Sequence, residues 1–258
     1  MVPFLTSTLI RCVYLRSMRT RLIAWVAMVF SVVQLCDSAR AQMPGAGPGN
    51  IAFLRIFDQH KAFSATADMH ITDNTKDSMD VSFALALAEG KVRFEVDLAK
   101  AKGSMISPEV VAQMKAVGMD RAVSVMRLDK KRLYVIYPGL KAYADVVMPD
   151  DSVQSLTKTL NIQRSAQGKE TVASHACTKT LVTLTDDKGG KERITSWEAT
   201  DLKGFPIQAQ LFEAGQNILI KLRDVKLTKP DAKEFEPPAG YKKYNDIQSL
   251  MTQALAGK

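Results

Sequence analysis

The chain has 258 residues, of which 46% are hydrophobic and 24% charged, as in an ordinary globular protein. This composition excludes a disordered chain, a collagen-like repeat and a disulfide scaffold. The formal net charge is +8, but residues 1–41 hold five arginines and one aspartate, so +4 of it belongs to that segment and +4 to the rest. A balance this mild does not argue for a nucleic-acid partner.

The first 41 residues contain the three parts of an export signal. Met18–Arg21 is basic, the 14 residues Leu22–Leu35 are mostly apolar, and Ala39–Ala41 has the small residues that signal peptidase reads. We therefore expect cleavage between Ala41 and Gln42, and a periplasmic or secreted mature protein of 217 residues. An uncleaved anchor is the alternative, although about 20 residues are needed to span a bilayer. Met18 is an alternative start, since it opens a signal of normal length.

The cysteines fit an exported protein without disulfides. Cys36 follows Leu35 rather than a small residue, so the pattern for a lipid-modified cysteine is not met. Removal of the signal leaves Cys177 as the one remaining cysteine. We expect its thiol to be buried; the alternative is an exposed thiol that serves as an intermolecular handle, that is, one that bonds to another molecule. No other stretch approaches spanning length, so we expect no transmembrane segment in the mature chain.

After a Pro/Gly linker at 42–49, the pattern predicts one domain over residues 50–258. A short helix runs from Asn50 to about His60, and Phe63–Thr72 is a strand. Ser78–Ala88 and Lys91–Leu98 alternate with period two around Glu89-Gly90, which predicts a hairpin.

The middle of the chain continues this β-rich pattern. Ser107-Pro108-Glu109 starts a helix that ends at Gly118, and a second helix begins at Asp150 or Asp151 and extends to about Leu160. Between them the sequence predicts strands at Ala122–Leu128, Arg132–Tyr137 and Lys141–Val147.

The last third is also predicted to be mostly strands, before a final helix from about Asn245 to Leu255. About ten strands joined by short turns favour an α+β, β-rich fold: a curved antiparallel sheet partly covered by a few helices. The strands expected here are Thr171–Cys177, Thr178–Thr185, Glu192–Ala199, Pro206–Glu213 and Gln216–Leu227.

No set of residues in the sequence predicts catalysis, a cofactor or a bound metal. A Gly-x-Ser-x-Gly elbow is missing, and Ser174 and His175 would point to opposite faces of a strand. His175 and Cys177 would share a face, but a structural zinc site needs four ligands. We expect no catalytic, cofactor-binding or metal-binding residues. Lysines near the C-terminus (Lys226, Lys229, Lys233, Lys242 and Lys243) suit a solvated face, or an acidic partner or head group.

Apolar and aromatic side chains on the predicted strands could instead line a cavity. Aromatic residues cluster near two predicted turns, where they either complete the core or rim the mouth of an apolar cavity. The candidate lining residues are Phe83, Leu85, Phe94, Val96, Tyr137, Tyr143, Trp197 and Leu211.

Four segments resemble an uncharacterised family of secreted bacterial domains that is similar to the outer-membrane lipoprotein carrier (LolA-like) superfamily. They are EGKVRFEVDL, LDKKRLYVIYPGLKAYADV, WEATDLKGFPIQAQ and KLTKPDAKEFEPPAGYKKY, within residues 60–245. The resemblance implies an antiparallel half-barrel whose open side is plugged by helices. In the carriers the concave face holds acyl chains. The resemblance implies no catalytic residue.

Two functions follow as expectations. The first is a non-catalytic periplasmic or secreted protein that binds or carries an apolar ligand, such as a lipid or the acyl chain of an acylated protein. The alternative is an envelope module that holds a protein partner and has no small-molecule ligand. An enzyme ranks behind both.

Overall fold

The structure is a computed structural model and describes residues 53–256. The predicted signal, its cleavage site at Ala41 and Gln42, and the linker at 42–49 lie outside the described residues. Twelve strands form a single sheet. They are β1 (Ala62–Asp73), β2 (Ser78–Ala88), β3 (Lys91–Asp97), β4 (Arg121–Arg127), β5 (Arg132–Tyr137), β6 (Ala142–Val147), β7 (Asn161–Val172), β8 (His175–Thr185), β9 (Lys191–Ala199), β10 (Phe205–Glu213), β11 (Gln216–Lys226) and β12 (Lys242–Tyr244).

Three helices accompany the sheet: α1 (Pro108–Ala116), α2 (Asp150–Thr157) and α3 (Ile247–Ala256). Residues 53–60, here called the N-terminal strap, form a short helical segment followed by turns. This segment is less helical than the spacing of its apolar residues predicts. No helix among residues 53–256 is long and apolar enough to cross a membrane.

The sheet is ordered β12-β6-β5-β4-β3-β2-β1-β11-β10-β9-β8-β7, and all neighbours are antiparallel except β12 and β6. The hairpin predicted at Glu89-Gly90 is present, with both residues at positive φ (49° and 79°) and Ala88 opposite Lys91. Positive φ at both turn residues matches the twist of the flanking strands.

The connection from β6 to β7 requires the sheet to curl. These strands stand ten steps apart in the sheet order, about 48 Å if the sheet were flat. The chain between them holds the eight residues of α2 and five others, which reach about 29 Å. The expectation of a curved, mainly antiparallel sheet with a few helices is therefore confirmed.

The concave face carries the main core. Inward-facing residues alternate along each strand, as in Phe63, Ala65 and Ala67 on β1 and Ile218, Ile220 and Leu222 on β11, all of them buried. This period-two burial is what half-buried strands produce.

The convex face has a smaller core, which the alternation alone did not predict. Phe235 lies in a 3₁₀ turn of the C-terminal tail and is buried against the convex side of β2, β4 and β5. Arg127, 6% exposed, holds this tail by donating to the Phe235 carbonyl at 3.3 Å and to Glu236. The residues packed with Phe235 are Ala86, Ala88, Val123, Val125, Tyr134 and Ile136.

The expected strand pattern is wrong in one region. The strand predicted at Thr171–Cys177 is instead a turn at Ala173 and Ser174, both at positive φ, between β7 and β8. Strand β7 was missed because it lies at the sheet edge and is mostly exposed, so its sequence does not alternate. The short strand β12 was also missed, so the sheet has twelve strands rather than about ten.

Candidate ligand-binding site

A patch of apolar side chains occupies the concave face of β2 and β3. The register places Phe83 opposite Val96 and Leu85 opposite Phe94, so these four side chains adjoin on one face. The Phe83 and Phe94 ring centroids are 5.9 Å apart. Leu85 is buried, whereas the other three side chains are only half-buried. The patch is therefore incompletely covered by the rest of the described protein.

Two further predicted lining residues share this face at greater distance. The strand register places Tyr137 of β5 and Leu211 of β10 on the concave face, and both side chains are buried. Burial raises the pKa of the Tyr137 hydroxyl, so the phenol stays neutral.

Tyr143 and Trp197 lie on the convex face, away from the other six. Tyr143 packs edge-to-face on Tyr134, with ring centroids 6.2 Å apart. The Trp197 Nε1 donates to Glu170 at 2.8 Å. Side chains alternate between the two faces of a strand. The neighbours Ala142 and Ser196 face the concave side, so Tyr143 and Trp197 face the convex side. The sequence pattern therefore did not separate aromatic residues of the two faces.

The N-terminal strap crosses the open side of the curled sheet. Its Phe57 ring packs on Phe63 of β1 and on Phe205 of β10, with centroids 4.7 and 5.3 Å away. Arg55 reaches the β6–β7 connection and donates to the carbonyls of Leu156 and Lys158, each at 2.7 Å.

Arg164 fixes the other side of the strap and is a residue that sequence reasoning missed. It donates to Asp58 at 2.6 Å and to the Ile56 carbonyl at 3.3 Å, both in the strap. It also donates to Glu198 on β9 at 2.6 Å. Arg164 stands among polar residues on an edge strand, so nothing in its local sequence marks it as inward-facing.

The β7–β9 end of the concave face carries a polar cluster beside apolar side chains, since Val182 and Ile194 on the same face are buried. Thr180, 3% exposed, donates to Glu198 at 3.1 Å. Ser196 faces Thr180 across the β8–β9 ladder, and its Oγ is buried without a hydrogen-bond partner in the described protein. The concave face thus has an apolar middle and an end that mixes polar and apolar side chains.

Little covers the apolar middle from above. Helix α1 has apolar residues but no buried side chain. Met69 on β1 and Leu87 on β2 also face the concave side and are half-buried. The contiguous half-buried set on β1–β3 is therefore Met69, Phe83, Leu87, Phe94 and Val96.

The histidines do not assemble a reactive site in the described part of the chain. His70 pairs with Asp80 and His175 with Asp201, each at 2.7 Å and near the surface. Cys177 is buried, and burial raises the pKa of its thiol, which disfavours the nucleophilic thiolate. Residues 53–256 contain no group of three or more side chains able to hold a metal ion.

Comparisons with known proteins returned structural likenesses alone. No family model matches, and no curated protein matches. A conserved uncharacterized protein from Thermus thermophilus aligns over 77% of this chain and 99% of its own, with 9% identity and a TM-score of 0.40. A LolA superfamily protein from Nitrosomonas europaea aligns over 69% and 90%, with 9% identity and a TM-score of 0.34.

The lipoprotein LppX from Mycobacterium tuberculosis aligns over 70% of this chain and 96% of its own, with 13% identity and a TM-score of 0.33. The resemblance in the sequence predicted a similarity to the LolA superfamily, and one member is among these structures. At TM-scores of 0.33 to 0.40 these likenesses carry no information about ligand or mechanism.

Proposed function

We propose that the mature protein is a non-catalytic periplasmic or secreted protein that binds or carries an apolar ligand, a lipid or the acyl chain of a lipoprotein, on its concave face. The supporting observation is the patch of half-buried apolar side chains on β1–β3. Phe83, Leu85, Phe94 and Val96 form the floor of the proposed site, and Tyr137 and Leu211 extend the same face.

An acyl chain suits this surface because it needs no specific polar contact. Each buried CH₂ contributes roughly 0.8 kcal/mol, so a long chain gains useful affinity from apolar burial alone. The strap gives the proposed site a wall, which is held by the packing of Phe57 on Phe63 and Phe205 and by the polar contacts of Arg55 and Arg164.

The proposal includes export with removal of residues 1–41 and a single folded domain over residues 50–258. N-terminal sequencing of protein recovered from the cell envelope tests this part, and a mature chain starting at Gln42 is the expected result.

The ligand is tested by mass spectrometry of organic extracts from mature protein purified without detergent. We expect one reproducible class of lipid at near-stoichiometric amount, and continued uptake of that lipid by delipidated protein. A protein that is empty from every preparation and takes up no lipid contradicts the proposal. Recurrent crosslinking of that empty protein to one envelope protein would favour the interaction module instead.

A further inference from the structure

A groove of about 720 Å³ lies on the convex face, on the side of the sheet opposite the proposed lipid site. Its floor runs along β1 and β2, where the register pairs Ser64 with Ala86 and Thr66 with Ala84. These four short side chains leave a trough between taller neighbours. The C-terminal tail closes one end with Pro237 and Pro238.

A bulge in β11 shapes one wall of the groove. The pairing with β1 jumps from Thr66–Arg223 to Ser64–Lys226, so β11 carries one extra residue at this point. Asp224 within the bulge has φ 54°. Such bulges redirect side chains, and here Asp224 and Lys226 both line the groove.

The charges that line the groove do not all have partners. All four carboxylates are hydrogen-bonded, and Arg93 is paired with Glu95 at 2.5 Å. Within residues 53–256, Lys226 and Lys233 have no ion pair, and the hydroxyls of Ser64 and Thr66 have no hydrogen-bond partner. The carboxylates are Glu95 (to Arg121, 2.7 Å), Asp224 (to Arg223, 2.7 Å), Glu234 (to the backbone N–H of Asp231, 3.3 Å) and Glu236 (to Lys130, 2.8 Å, and to Arg127).

We propose that this groove binds a small anionic amphiphile. Its acidic group lies between the ammonium groups of Lys226 and Lys233, the two unpaired cations of the groove within the described residues. Its apolar part packs on Ala84, Ala86 and the two tail prolines. This site goes beyond the proposed function, because it lies on the other face of the sheet. It binds its ligand through an ion pair with two lysines, whereas the concave face binds through apolar contacts alone.

An extended acidic peptide fits the groove less well. Peptides that dock on sheets gain main-chain hydrogen bonds at an open strand edge. Here both edges of β1 are paired, with β2 and β11, and both edges of β2 are paired, with β1 and β3. A ligand in the groove therefore meets side chains, which suits a compact amphiphile with one charged group.

Calorimetric titration of the delipidated mature protein tests the site. The ligands are dodecanoate below its micelle concentration, uncharged dodecanol and inorganic phosphate alone. The variants are the double substitution Lys226→Glu and Lys233→Glu, and Lys221→Glu as a matched control on exposed β11 outside the groove. Thermal melts confirm that each variant folds. All groove titrations are made in the Phe94→Arg background, which places a charge in the proposed concave lipid site, so that dodecanoate or dodecanol bound there does not enter the comparison.

In that background we expect dodecanoate binding that weakens about tenfold or more when Lys226→Glu and Lys233→Glu are added, and that stays within about twofold when Lys221→Glu is added. Dodecanol and phosphate should each bind much more weakly than dodecanoate. Unchanged affinity in the double variant, or equal binding of dodecanol, overturns the proposal. Binding of phosphate as tight as that of dodecanoate shows a site for free anions and overturns the proposal that the ligand is an amphiphile. Loss of all binding in Phe94→Arg places the ligand on the concave face and overturns the groove site while supporting the lipid site.

Discussion

The guanidinium of Arg164, on the edge strand β7, donates a hydrogen bond of 2.6 Å to Asp58 in the N-terminal strap, across 106 residues of sequence. Its second nitrogen donates to Glu198 at 2.6 Å. One half-buried arginine thus joins the strap to two strands of the sheet and closes the concave face at that end.

Arg164→Ala should destabilise the protein by about 2–4 kcal/mol, because it leaves Glu198 half-buried without its cation and removes two hydrogen bonds to the strap. Urea unfolding followed by circular dichroism measures the change. Arg223→Ala is the matched control, since its pair with Asp68 is exposed and should contribute less than about 1 kcal/mol. Equal losses in the two variants would show that the strap contact is no more than a surface ion pair.

Phe235→Ala should cost about 3–5 kcal/mol, because the ring is 1% exposed and fills the convex core. Phe212→Ala serves as the control, since that ring is 69% exposed and its removal should change stability by no more than about 0.5 kcal/mol. Both are read from the same urea unfolding curves. A small effect at Phe235 would mean that the tail does not pack on the sheet in solution.

His60 should make the protein less stable in mild acid. Burial lowers the pKa of His60 below its ordinary value of 6.5, and nearby Arg164 acts in the same direction, against Asp58 and Glu198. The unfolded chain then binds a proton more readily than the folded one. Stability is complete above pH 6.5 and declines as pH falls from there toward the lowered pKa.

Melting temperatures of the wild type and of His60→Gln at about pH 7.5 and 5.5 check this sign. The decrease on acidification should be smaller in the variant, which lacks the titrating ring. An equal decrease in both proteins would assign the pH dependence to other groups.

Cys177 should react slowly with iodoacetamide in the folded protein. Its side chain is 2% exposed, and burial raises the pKa of the thiol, so little thiolate is present or accessible. Labelling followed by mass spectrometry should be complete in about 8 M urea and minor in buffer. Rapid labelling in buffer would indicate an exposed thiol and revive the intermolecular handle.

The sequence predicts the hairpin β2–β3 well because two independent signals indicate the same structure. Val81, Phe83, Leu85 and Leu87 alternate with less apolar residues along β2, and Glu89-Gly90 forms the two-residue turn with both residues at positive φ. The same reasoning fails for β7, because an exposed edge strand has no face that must be apolar. It also fails at Ala173-Ser174, where a turn forms without glycine or proline.

Within the candidate site, local alternation correctly groups Phe83, Leu85, Phe94 and Val96, since β2 and β3 are adjacent and their register follows from a two-residue turn. Local alternation does not assign Tyr143 and Trp197 to the convex face. Which face a residue shares with a residue on a distant strand depends on the register of every strand between them and on bulges, such as the one between Pro206 and Gln208. The contacts of Arg164 with the strap cannot be predicted from local sequence either, since they join residues more than 100 positions apart.

The most direct test of the account compares lipid retention by Phe94→Arg and Phe212→Arg, which place the same charge on the concave and the convex face. Lipid per protein chain is measured by quantitative mass spectrometry after detergent-free purification, with thermal melts to confirm folding. If the lipid lies on the concave face, Phe94→Arg loses most of its lipid whereas Phe212→Arg retains as much as the wild type. Equal retention in the two folded variants would contradict a ligand on the concave face.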